Sequence, residues 1–257
     1  SSNGAHEGTI RYEYGEQNLK SELSTQLDAG FEFNTDHFSF DISGFYNSFS
    51  NFILYRKLQA KGGGDSTLNV DGQDLTAFKF EQTKAALTGI EATVDFHPHP
   101  LDWLHVENTF SLVSGKLNEA IEGSKDLPFI PAPRLITELR GNFKKIKNNI
   151  RNAYLKFELD NTFTQNNIFT AYNTETATAA YTLINGGIGT DITNKKGLTI
   201  LNIHFIATNI ADVAYQNHLS RLKYGAVNAV TGRTGVFNMG RNFSIKINIP
   251  ISFDLKK

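Results

Sequence analysis

Along most of the chain, apolar and polar residues trade places at every second position. The last stretch is the clearest. In NFSIKINIPISF (242 to 253), Phe243, Ile245, Ile247, Ile249, Ile251 and Phe253 are apolar, and Asn242, Ser244, Lys246, Asn248, Pro250 and Ser252 between them are not. A period of two sends the two sets to opposite faces of a strand. The same alternation places Leu23, Leu27, Phe31 and Phe33 on one face of 22 to 34, and Phe38, Phe40, Ile42 and Tyr46 on one face of 37 to 47. It recurs over 86 to 96 (Ala86, Ile90, Ala92, Val94, Phe96) and 103 to 112 (Leu104, Val106, Phe110, Leu112). Further strands are predicted over 135 to 143, 153 to 163, the glycine-rich 181 to 192 and 198 to 210. About nine strands result, and none of their apolar faces in this register carries a charge.

The connections fall into two kinds that alternate along the chain. TDH, HPHPLD, KKIKNN and DITNKKG are short and rich in turn formers. The others, 51 to 77, 116 to 133, 164 to 180 and 211 to 239, are long. Long loops without structure of their own are uncommon in compact soluble domains. At one rim of an outer-membrane barrel they are normal, with short turns at the other rim. Several strands also run to ten residues or more, close to the length that crosses a bilayer at a tilt. The pattern therefore predicts an all-β fold, a portion of a transmembrane antiparallel β-barrel. If the short turns face inward, the strand number is odd, whereas single-chain bacterial barrels have an even number. An open edge is not tolerated in lipid, so the strands are expected to be the closing part of a larger barrel. The competing reading is a soluble β-rich surface or binding module with long recognition loops.

Composition narrows the classes. The chain has 257 residues, a formal net charge of -1 and no cysteine. Without a basic excess it is not expected to bind nucleic acid, and without thiols it has no disulfide framework or thiolate metal site. Twenty phenylalanines against one tryptophan and one methionine suit strands better than helices. No run of residues is apolar enough for a membrane helix, and the first twenty residues lack the pattern of a signal peptide.

Four stretches carry a family resemblance: RYEYGEQNLKSE (11 to 22), GIEATVDFHPHPLDWL (89 to 104), NIADVAYQNHLSRLKY (209 to 224) and GRNFSIKINIPISF (240 to 253). With them the chain resembles the C-terminal part of TonB-dependent outer-membrane receptors, particularly those of the Bacteroidetes type. Ser21 stands where that family often has proline, and Asp-Leu-Lys-Lys follows Phe253 where the family tends to end on the aromatic. The resemblance implies a 22-stranded barrel closed by an N-terminal plug. Residues 1 to 257 would be its C-terminal share, with no plug domain. It further implies a Gram-negative outer-membrane location and lipid contact, together with contact to the plug and the remaining strands of the same receptor. The TonB complex would act through the missing N-terminal part. The implied activity is active import of a small, scarce nutrient, a ferric chelate or haem first among them.

Candidate chemistry is sparse. HPHPLDWLH holds His97, His99 and His105, but its two prolines force an extended or turning backbone, so it is read as a turn and not as a metal site. Trp103 beside it suits a membrane boundary. GGGD (62 to 65) is a loop tip, since no Lys-Ser/Thr and no helix follow it. Glu91 and Asp95 fall on one polar strand face, as lumen charges do. No nucleophile and base stand in a catalytic context, so neither enzymatic activity nor a cofactor is expected. The remaining candidates are His218, Arg221, Lys223 and Tyr224 in YQNHLSRLKY, able to contact an anionic ligand or, more simply, to pack across the barrel mouth.

Overall fold

The computed structural model describes residues 3 to 6 and 11 to 251. Thirteen strands form one sheet: β1 (Gly4–His6), β2 (Arg11–Tyr14), β3 (Leu23–Asn34), β4 (Phe38–Lys57), β5 (Thr67–Val70), β6 (Gln73–Phe96), β7 (Leu104–Ile121), β8 (Ser124–Asp126), β9 (Arg134–Lys147), β10 (Ile150–Thr162), β11 (Tyr181–Thr193), β12 (Thr199–Thr208) and β13 (Asn242–Asn248). Nine of them, β3, β4, β6, β7 and β9 to β13, make a continuous antiparallel wall in that order. These are the nine segments the alternation singles out. The other four are short and sit at the end of the wall that carries the long loops, where β2 pairs in parallel with β6.

Register fixes the two faces. Phe31, Ile42, Ala92, Phe110 and Leu135 stand opposite one another across β3, β4, β6, β7 and β9. Leu155, Ile188, Phe205 and Ile245 continue the apolar face across β10 to β13. These last four are 60%, 53%, 41% and 68% exposed, so the described residues leave much of each side chain uncovered. At the turn end, Trp103 stacks on Phe143 at 5.4 Å, as an aromatic at a membrane boundary would.

The strands expected to stop near 47 and 112, and to begin near 86, are longer in the structure. β4 runs on to Lys57, β6 begins at Gln73 and β7 continues to Ile121, taking residues from two of the expected long loops. A bulge explains why the pattern concealed this. Asn51 takes φ 59° and the β4–β6 register shifts between Phe49 and Phe52. The single alternating face therefore breaks there, although pairing continues. Beyond the bulge, apolar residues serve a different purpose. Phe78, Ala85 and Leu117 are buried with Leu127, Ile130, Phe169, Ala171 and Tyr172 from the loops, forming the chain's hydrophobic core. We call this loop end the crown. In the last expected strand, pairing stops at Asn248, ahead of Pro250, which lacks a donor for a ladder. Phe253 lies outside the described residues.

Candidate functional site

The polar face of the wall is organised in rows. Asp95, Glu107, Glu138 and Glu158 face one another across β6, β7, β9 and β10. One step toward the turns, His105, Arg140 and Lys156 form a parallel row on β7, β9 and β10, with two permanent cations, Arg140 and Lys156. Lys156 Nζ donates to Glu138 at 2.8 Å and to Glu158 at 3.2 Å. Arg140 lies 4.6 Å over the Tyr154 ring, whose hydroxyl meets His204 Nδ1 at 3.1 Å. Gly189 has no side chain where those two groups converge, and a Cβ there would collide with both. Nearer the crown, Arg134 forks onto Asp160 with bonds of 2.7 and 2.6 Å. Such a surface suits water and polar solutes and not a packed apolar core.

In the crown the loops are tied by one buried carboxylate. Glu175 accepts from the Phe129 N–H at 3.1 Å and the Phe169 N–H at 2.9 Å, and from His218 Nε2 at 2.7 Å. His218 is fully buried, and its Nδ1 lies 2.8 Å from Thr178 Oγ1. Lys223 Nζ donates to that same hydroxyl at 2.8 Å and to the Thr176 carbonyl at 2.9 Å. With His218 as the Nε2–H tautomer, donation runs one way, from Lys223 through Thr178 and His218 to Glu175. Three loops, 122 to 133, 163 to 180 and 209 to 241, meet at this chain of bonds.

The four residues singled out in YQNHLSRLKY separate here. His218 and Lys223 are buried with protein partners. Arg221 and Tyr224 are exposed; the Arg221 guanidinium covers the Phe129 ring at 4.3 Å, and the Tyr224 hydroxyl accepts from the Thr176 N–H. Beside them is a recess of about 360 Å3 lined by Tyr181, Tyr215, Gln216 and Lys223 among others. Burial, with Tyr181 and Asp160 nearby, raises the Tyr215 hydroxyl above its ordinary pKa. Glu175, Thr178 and Gln165, which donates to the carbonyls of Ile130 and Pro131, were not foreseen. They sit in connections with no periodicity to mark them. Two motif residues near 209 explain their own sequence signal. Asn209 both accepts from and donates to Val213, and Asp212 Oδ1 accepts from the Arg241 N–H. Gly240 is required at that closure, because a Cβ would meet Asp212 Oδ1 at 2.6 Å.

At the opposite rim, the HPHP segment forms the expected turn between β6 and β7. It also brings Asp95, His97 and His105 together, and beside them His37, His99 and Asp102, each set with ligand atoms within 4.8 Å.

A family model described as TonB dependent receptor-like, beta-barrel, matches residues 1–205. Among solved structures, the copper transporter OprC superimposes with a TM-score of 0.68 at 17% identity, covering 91% of this chain and 32% of that one. The FrpB iron transporter from Neisseria meningitidis gives 0.60 at 11% identity, with coverages of 93% and 33%. A ferric enterobactin receptor from Pseudomonas aeruginosa, PfeA, gives 0.56 at 16% identity, with coverages of 95% and 34%. These likenesses are of fold, and the chain spans about a third of each of the three structures.

Proposed function

The chain belongs to the TonB-dependent receptor β-barrel family, and from that premise we propose that it is the C-terminal wall and loop portion of an active nutrient importer. Its location is the outer membrane of a Gram-negative bacterium. The observation that carries the proposal is the pair of unfinished edges. Among the described residues, β3 pairs only with β4 and β13 only with β12, while the apolar face between them is exposed. Unpaired backbone groups in hydrocarbon cost several kcal/mol each, so both edges call for further strands. The remaining strands and an N-terminal plug of the same receptor would close the barrel, and the TonB complex would drive it through that plug. The role of this portion is to form wall and loops, without covalent chemistry.

A ferric chelate or haem is the cargo we favour, supported by neighbours named as an iron transporter and a ferric enterobactin receptor. Arg221 and Tyr224 are the residues of the crown we assign to the ligand, a cation and an aromatic suited to an anionic chelate. His218 and Lys223 contribute by holding the loop that presents them. The test is uptake of ferric chelates and of haem by cells with and without the full receptor. Import that needs both the receptor and TonB supports the reading. Import unchanged by deletion, for every iron source offered, overturns the cargo assignment.

A further inference from the structure

We propose that Asp95, His97 and His105 form a binding site for a divalent first-row transition-metal ion on the lumen face of the wall, at its turn end. The sequence alone favours an ordinary turn, and the turn is indeed formed: His97 N–H donates to the His37 carbonyl, Leu101 to Pro98 and Leu104 to Leu101. Those bonds are what hold two imidazoles and a carboxylate in one place. Asp95 Oδ2 lies 2.7 Å from His97 Nε2 and 3.3 Å from His105 Nδ1, and the two rings meet edge to face at 4.2 Å. Donor atoms around a tetrahedral zinc ion stand about 3.3 Å apart. Zinc would need the short Asp95–His97 contact to open slightly and the two imidazole nitrogens, which lie within 4.8 Å of each other, to settle near that spacing.

Charge on the inner wall points the same way. The acidic row has four members, and Lys156 answers two of them, Glu138 and Glu158. Among the described residues, neither Asp95 nor Glu107, which faces it in register, has a lysine or arginine ion pair. The places that Arg140 and Lys156 occupy further along the basic row are taken here by His97 and His105. Asp95 Oδ1 is moreover buried with no hydrogen-bond partner, an arrangement proteins generally avoid. A divalent cation supplies the missing charge and gives that carboxylate a second partner. Two imidazoles and one carboxylate are a donor set that suits zinc and its first-row neighbours better than magnesium or calcium. The adjacent set of His37, His99 and Asp102 is wholly exposed and serves as the internal control.

The inference does not depend on what the receptor imports. Its test is titration of the full receptor in detergent, first stripped with chelator, with Zn2+ against a chromophoric competitor. One tight equivalent is expected, weakened at least about tenfold by His105→Ala and by Asp95→Asn and unaffected by His99→Ala. Zinc bound as tightly by His105→Ala and Asp95→Asn as by the parent overturns the site, as does loss of the tight equivalent with His99→Ala alone. Heat-dependent gel migration reports whether each variant still forms a barrel. Should a variant fail that check, zinc-edge absorption on His99→Ala, which removes the control set, decides: a shell with two imidazoles supports the site, and one with fewer contradicts it.

Discussion

The wall and the crown are built by the same strands and treat their apolar residues in opposite ways. On β10 and β11, Leu155 and Ile188 point outward and remain 60% and 53% exposed. Further along β7, Leu117 is 2% exposed, packed with Phe169 at 3% from a loop fifty residues later in the chain. The wall derives its order from backbone pairing and needs an apolar solvent for its outer face. The crown derives its order from burial and from the Glu175 bonds, as a water-soluble protein does. Damage to one region should therefore leave the other standing, and that independence can be tested.

The largest effect is expected from Phe169→Ala, which empties the centre of the crown core at a cost of about 3–5 kcal/mol. Limited proteolysis should then cut the long loops while the wall keeps its heat-dependent gel migration. Ile188→Lys is the converse. A lysine on the lipid face costs roughly 2–4 kcal/mol near the bilayer middle. Unfolding in vesicles should register it, and loop proteolysis should not. Alkali provides a third handle. Burial pushes the Tyr172 hydroxyl up to about 12, so the fold favours its neutral form. That contribution is complete below the ordinary tyrosine value of about 10 and is lost as pH rises toward 12. Loop proteolysis followed across that window should increase before the wall changes. The smallest effect belongs to Arg56→Ala, which removes the exposed pair with Glu81; a shift below about 1 kcal/mol is expected in denaturant unfolding.

What the sequence disclosed follows the same division. The wall was legible because one residue in two meets the same medium along a whole strand, and all nine wall strands were found from that. The alternation of short and long connections likewise located both rims. The crown was opaque. Past the bulge at Asn51 the face that is buried is decided by loops far away in the chain, so no local period records it. Glu175 could not be singled out, since a lone glutamate between Thr174 and Thr176 looks like any loop residue until His218 and two N–H groups arrive around it. His218 and Lys223 stood out as chemistry-bearing residues, and their burial became apparent only with the loops assembled. Asp95 and His105 lie ten residues apart on two strands, and it is the hairpin that brings them together.

The central claim is that the apolar face of the wall meets lipid while its polar face meets water. This chain contains no cysteine, so single cysteines can be introduced at successive positions from 154 to 159, in a full receptor freed of any cysteine elsewhere. Spin labels there would be probed in bilayers with a lipid-soluble and a water-soluble relaxation agent. The account expects positions 155, 157 and 159 to respond to the lipid-soluble agent and 154, 156 and 158 to the aqueous one. Equal aqueous access at both sets would contradict it, and the exposed apolar rows would then need a protein partner in place of a membrane.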